Sequence, residues 1–292
     1  MAEKEPFDFP PLFVSADKAS NRNQKHYLWL IRVEYLLLFA SACIALAGSK
    51  TPNFIVASAA ILIGAVAAMG WRAHSKPEQA WYKCRALAES VKTLSWRFSM
   101  RSAPYDDELV ADARADFRGN LSDLLRTNSE LGSSLADFNN GGPQVTQTMI
   151  DLRASNLNAR RHIYMQQRVR NQQTWYQRKA KSNVRWARAW LAGAFVCYIV
   201  GIVMILAPLH TPSLTMLPIE PIIFVASAIL GWMQIKKFNE LASAYALTAQ
   251  EIGIAEGKIA EADGEQSFNR AVNEVELVFS REHTQWIARQ SS

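Results

Sequence analysis

The sequence predicts an all-α integral membrane protein with two two-helix transmembrane hairpins extended by long cytoplasmic helices. Apolar runs come in two pairs, at residues about 28–71 and about 187–235, and strongly charged stretches flank each pair. The run 189–209 carries no charge, and about 20 such residues match the hydrocarbon core of a bilayer at the helical rise. The two pairs also echo each other. FIVASAAIL near Phe54 resembles IFVASAIL near Phe224, and Gly70-Trp71 and Gly231-Trp232 close the two return runs. Such repetition predicts two diverged copies rather than a solenoid array. They divide the chain into residues 1–143 and 144–292 at the breaker cluster Asn139-Asn140-Gly141-Gly142-Pro143.

Composition agrees. The 292 residues are 49% hydrophobic, yet mean hydropathy is only -0.07, because apolar blocks alternate with charged ones. Net charge is +6, which favours anionic partners such as lipid headgroups, nucleotides or nucleic acid. Three cysteines are too few for a disulfide framework and fit a reducing compartment. MAEKEPFDFPPLF lacks the basic and apolar regions of a secretory signal peptide.

Residues 1–14 are rich in Phe and Pro, and the pair Pro10-Pro11 excludes a helix through them. They read either as an arm packed on its own protein or as a mobile trigger. A helix begins at Ser15 and turns apolar from Tyr27 to Gly48, with Arg32 and Glu34 near its entry. Both are within snorkelling reach of the interface and serve there as orientation anchors, or else as pore or gate residues. The return helix Phe54–Trp71 is rich in Ala and Gly, Gly64 among them. Small residues let helix backbones approach closely in lipid, so this helix is expected in a close-packed or pore-lining position.

From Arg72 the helix is expected to continue into water. Trp81, Leu87, Val91, Leu94 and Trp96 form its apolar stripe, with Lys83, Arg85, Lys92, Arg97 and Arg101 opposite. Residues 106–143 read as weakly patterned helix. A further helix starts near Thr146 and carries Arg153, Arg160, Arg161, Arg168, Arg170, Trp175, Tyr176, Arg178 and Lys179 into the second hairpin. Four prolines and Glu220 lie in the loop 208–221. Glu220 would favour cations if it lined a path. After Trp232 comes an amphipathic helix, then a break near Asp263-Gly264, then a last helix with the stripe Val272, Val275, Phe279 and Trp286.

Lys and Arg crowd the outer ends of both hairpins (Arg22, Lys25, Arg72, Lys76; Arg185, Arg188, Lys236, Lys237), while the tips hold Lys50 and His210. The positive-inside rule places both termini and the central segment in the cytoplasm.

No catalytic, metal or cofactor motif is present: there is no phosphate loop, nucleophile elbow, CxxC or HExxH. Glu282 and His283 are adjacent and point about 100 degrees apart on a helix, so they cannot clasp one metal. With Glu274 and Glu276 they read as a solvated face or inter-helix pairs. The basic residues are the stronger signal. Arg85, Lys92, Arg97, Arg160, Arg161, Arg168, Arg170, Trp175, Arg178 and Lys179 are the candidate nucleotide or phosphate ligands, since Arg suits phosphate and aromatic rings stack bases. A solvated face touching lipid headgroups is the competing reading.

Two pairs of blocks carry a family resemblance. LFVSADKASNRNQKHYLWLIR (12–32) and RALAESVKTLSWRFSMRSAPYD (85–106) resemble one version of the SLATT domain. RVRNQQTWYQRKAKSN (168–183) and VELVFSREHTQWIAR (275–289) resemble another. SLATT domains are two-transmembrane effector domains. The resemblance implies a pore-forming effector of a bacterial anti-phage system in the inner membrane. It implies gating by a nucleotide or oligonucleotide second messenger from a partner nucleotidyltransferase, and a homo-oligomer with a tetramer as first guess. It assigns no ligand residues. The alternative is a non-conducting membrane scaffold that recruits a soluble partner through its cytoplasmic helices.

Overall fold

The computed structural model describes residues 7–47, 51–107, 109–138, 141–211, 217 and 219–291, leaving aside the side chains of 45, 47 and 281–291. The tip residues 48–50, most of the loop 212–218, Asn139-Asn140, and the side chains of Glu282, His283 and Trp286 lie outside this description. Among the described residues every regular element is helical. They are α1 (Pro11–Ala47), α2 (Pro52–Ser75), α3 (Pro77–Ser99), α4 (Val110–Thr127), α5 (Gly132–Ala136), α6 (Gln147–Ala154), α7 (Leu157–Tyr164), α8 (Asn171–His210), α9 (Ile219–Lys236), α10 (Phe238–Ala260) and α11 (Glu265–Ser291). A 3-10 turn precedes α5, and a π-helical turn, Met165–Arg170, joins α7 to α8.

The chain forms two compact units, and neither is a continuous stretch of sequence. The membrane unit takes residues 25–77 and 179–243. Among the described residues there are 4 helices long and apolar enough to cross a membrane, and their apolar windows build this unit. Its packing is inverted relative to a water-soluble protein. Large side chains such as Ile63, Val66, Val203 and Leu209 point outward, while small residues such as Ser41, Ala65, Ala194 and Ala226 are buried deep in the spans and Leu30, Ile31 and Phe238 nearer their ends. Lipid is as apolar as Leu, so close backbone approach over small residues is what holds such helices together. The Ser41 and Ser58 hydroxyls meet at 2.8 Å between α1 and α2. A Cβ on Gly64 would lie 3.8 Å from Leu37, and one on Gly231 would lie 2.7 Å from the Tyr35 hydroxyl, so Gly231 admits that tyrosine.

The return helices end alike, and earlier than the sequence reading expected. Lys76 (φ 43) and Lys237 (φ 44) are both left-handed. Each stands five positions beyond the tryptophan of its Gly-Trp pair. The Lys76 N–H donates to Arg72 O at 3.1 Å and the Lys237 N–H to Met233 O at 2.9 Å. Pro77 then starts α3; it has no N–H to continue α2 and disfavours an α conformation at Lys76. The 208–221 segment is shorter as a loop than expected. Pro208 lies in the last turns of α8, and Pro221 in the first turn of α9, where its missing N–H costs nothing.

The extramembrane unit takes the described residues of 1–24, 78–178 and 244–292. Leu87, Val91 and Trp96 of α3 are buried in its core with Val272, Val275 and Phe279 of α11, as their helical spacing predicts. Burying each such side chain contributes about 1.5–3 kcal/mol. The aromatic arm packs on its own protein. Phe7 stacks on Trp96 at 4.2 Å, Lys92 lies over the Phe9 and Phe13 rings, and the Thr146 hydroxyl donates to Asp8 O at 2.7 Å. Thr146 also caps α6, as the sequence reading placed it, by accepting from the Met149 N–H. The expected single helix beyond it is interrupted, however. Asn156 caps a fresh helix, α7, and the π turn follows.

Candidate functional site

The π turn determines what the central basic run does. Each residue advances a helix by about 100 degrees, so the break at Ser155-Asn156 and the wider π turn put the arginines of 153–188 on different faces. Arg153, Arg160 and Arg168 turn inward and are fully buried.

Arg168 meets Glu276 of α11. Its Nε donates to Oε1 at 2.9 Å and its Nη2 to Oε2 at 2.7 Å. The Tyr164 hydroxyl donates to the same Oε1 at 2.9 Å, and Phe279 lies flat under the guanidinium at 4.2 Å. Burial opposes the Arg168 charge, but Glu276 more than reverses this and leaves the guanidinium above its ordinary range. Burial and Glu276 push the Tyr164 phenol well up. Arg160 reaches both Glu265 oxygens and Met100 O. Among the described residues the acceptors of Arg153 are backbone carbonyls: Phe98 O at 2.8 Å, Tyr105 O at 2.7 Å and Asp107 O at 2.8 Å. Burial, then Arg101, lower it to about 10, which still leaves it charged at neutral pH. Together these two arginines clamp the segment that follows α3.

The expected phosphate ligands therefore sit in different surroundings. Arg160 and Arg168 are buried and paired with Glu265 and Glu276 inside the unit. Arg161 donates to Ala262 O. Arg170 pairs with Glu256 at 2.8 Å. Arg85 lies between Glu89 at 2.7 Å and Asp17 at 3.1 Å. Glu89 chiefly raises its pKa, against burial, with Asp17 adding to the rise. Lys92 covers the arm phenyl rings. Arg97 is largely covered and its Nε has no protein partner. Arg178 and Lys179 are exposed. In the membrane unit Glu34 pairs with Arg72 at 3.1 Å, Arg32 lies over Trp232, and Glu220 is exposed in the first turn of α9.

An aromatic cluster stands beside Arg85. Trp175 and Tyr176 of α8 each pack on Tyr245 of α10 with centroids 5.6 Å apart, and the charge of Arg85 feels both tyrosines. No group of three or more His, Cys, Asp or Glu fit to hold a metal occurs among the described residues. The arrangement offers cations, carboxylates and rings.

Comparison with known families gives the context. Residues 10–161 match the SMODS and SLOG-associating 2TM effector domain 3, SLATT_3, and residues 164–286 match domain 1, SLATT_1. The chain belongs to the SLATT family. It carries two tandem SLATT domains, and this is a multi-pass transmembrane protein of an effector family. No curated protein and no solved structure matches the chain.

The SLATT blocks of the two copies meet inside the extramembrane unit. Arg85, Glu89 and Trp96 of the first lie against Arg168, Tyr176 and their neighbours of the second: Glu89 acts on the Arg168 charge, Tyr176 on Arg85, and Trp96 packs edge-on against Tyr164 at 5.7 Å. Glu265 and Tyr164 escaped the sequence reading. Their partners Arg160 and Glu276 lie 105 and 112 positions away, and no local pattern links them. Glu276 was seen as one of an inter-helix pairing set, and its partner was not named.

Proposed function

We propose that this SLATT tandem is a pore-forming effector of the bacterial inner membrane. A nucleotide or oligonucleotide made by a partner nucleotidyltransferase opens it during phage infection. The observation that carries the reading is the membrane unit itself: four apolar spans with small residues inside, in a chain matched by two effector-domain families. Signal contact is assigned to the exposed face of α8 at Arg178 with Trp175 one turn before it, where a guanidinium meets phosphate and a ring stacks a base. α8 runs unbroken from these residues into its apolar span, so a ligand that binds the open state more tightly shifts the helix and the pore together. Both termini are proposed to be cytoplasmic, from the lysines and arginines at the outer ends of the hairpins, and the working unit is a homo-oligomer.

The test is ion flux from liposomes holding the purified protein, with a panel of cyclic and linear nucleotides. Flux with one nucleotide, lost in Arg178→Gln, supports the reading. Inserted, oligomeric protein that conducts under no condition, nucleotides included, overturns it. One observation favours the second reading, a scaffold. A shallow groove between α10 and α11 displays Ile254 and Leu277, 70% and 47% exposed, rimmed by Glu251, Lys258 and Glu274. Capture of a soluble partner that Ile254→Ser abolishes, with no flux, favours the scaffold.

A further inference from the structure

Within the membrane unit, two cations flank one tryptophan at the end of α9, and a third acts on one of them. The Arg32 guanidinium carbon lies 5.5 Å from the Trp232 ring centroid, and the Lys236 ammonium lies 5.8 Å from the same ring. Arg32 and Lys179 are the charges that act on Lys236, and both repel it. Among the described residues neither Arg32 nor Lys236 has a carboxylate in ion-pair contact. Lys236 is also partly buried. Like charges brought together and partly withdrawn from water are unfavourable unless an anion joins them.

The other hairpin shows that the cluster is specific. Trp71 corresponds to Trp232, but the residue four positions on is Ser75 where the second hairpin has Lys236. The first hairpin's arginine, Arg72, is neutralised by Glu34. Two return helices of shared pattern thus end differently: α2 at the Arg72–Glu34 ion pair, α9 at Trp232 between Lys236 and Arg32 of α1.

The cluster sits where an apolar span gives way to polar sequence, the level at which tryptophan prefers to lie and lipid phosphates are found. Basic pockets between membrane helices at this depth hold anionic headgroups. We propose that Arg32, Lys179, Lys236 and Trp232 form a binding site for a phosphate group, taken either from an anionic phospholipid headgroup or from a soluble phosphate compound. Arg32 supplies a fork for two phosphate oxygens, the lysines supply point charge, and the indole covers one side. Lys179 follows Arg178 directly on α8, but the core of the site at Arg32, Trp232 and Lys236 stands whether or not that reading holds.

The experiment uses the full chain in nanodiscs of equimolar phosphatidylcholine and phosphatidylglycerol, with retained lipids counted by native mass spectrometry. Wild type retains phosphatidylglycerol preferentially. Arg32→Gln with Lys236→Gln lowers that preference by roughly 30-fold, from two lost surface cations, while Arg32→Lys with Lys236→Arg keeps it. A second arm titrates inorganic pyrophosphate into protein held in phosphatidylcholine alone. Residue-dependent pyrophosphate binding without lipid preference assigns the site to soluble phosphate; the reverse assigns it to lipid. Equal retention of both lipids by wild type with no pyrophosphate binding overturns the proposal, as does a wild-type level of both in the Gln variant. Should the double Gln variant fail to insert, Lys236→Gln alone carries the same comparison, since it removes a repelled charge.

Discussion

Arg168 and Glu276 form a two-point ion pair at 2.7 Å, with side chains 1% and 0% exposed, between the π turn that leads into α8 and the middle of α11. The pair lies at the root of a helix that enters the membrane. It thus ties the fold of the extramembrane unit to the element proposed to move.

Removing one member of that pair is expected to be far worse than removing both. Arg168→Met or Glu276→Leu alone leaves a buried charge and costs about 3–5 kcal/mol. The double variant, apolar on both sides, recovers most of that loss. Thermal unfolding of the four proteins in one detergent measures it. Single variants as stable as wild type would show that the pair is not buried in solution. The double variant also separates structure from gating: restored stability with lost flux would assign the pair to the mechanism.

Arg153→Lys is expected to loosen the segment 101–107. A lysine cannot reach the three carbonyls of Phe98, Tyr105 and Asp107 from one planar group. Leaving buried carbonyls without donors costs about 1–3 kcal/mol. Limited proteolysis near Asp106-Asp107 is expected to speed up while cleavage elsewhere is unchanged.

Cys84 is fully buried, and burial, against a small opposing effect of Arg22, raises its thiol from 9.0 to about 11. Folded protein at mildly alkaline pH is expected to alkylate slowly at Cys84, and quickly once denatured, because the thiolate is the nucleophile. Peptide mapping after timed iodoacetamide treatment reads this. Rapid labelling of native Cys84 would contradict the buried position of α3.

Stability is expected to fall in alkali. Burial raises Tyr105 from 10.0 to about 12, and burial with Glu276 raises Tyr164 well above 10.0. Above that value the unfolded chain has released phenol protons that the folded chain keeps, so stability declines as pH rises. It is fully present below pH 10.0 as far as these two groups decide. Cys84 acts in the same direction from 9.0 to about 11. Arg153, lowered from 12.5 to about 10, works the other way. Denaturant midpoints across this range are expected to drop for wild type and to drop less for Tyr105→Phe.

Some of this architecture was legible in local pattern. The four spans follow from apolar runs of membrane length, the buried stripes Leu87–Trp96 and Val272–Phe279 from helical spacing, and the start of α6 from a threonine cap. The tandem arrangement follows from the FIVASAAIL and IFVASAIL echo, which the matching left-handed lysines after Trp71 and Trp232 repeat in three dimensions. These are properties of neighbouring residues, and a linear chain displays them directly.

The partner of each charge was not legible. An arginine reads the same in sequence whether it faces solvent, a phosphate or a buried glutamate, and only tertiary structure separates Arg178 from Arg168. A one-residue widening of the helix at Met165–Arg170 turns that register inward, and no helical wheel drawn through the basic run shows it. By itself the sequence determined the membrane hairpins, the family and the amphipathic faces, because hydrophobic periodicity is local. Tertiary structure alone decided which cations are neutralised within the protein and which, at Arg32 and Lys236, have no carboxylate in contact among the described residues, because ion pairing depends on residues far apart in the chain.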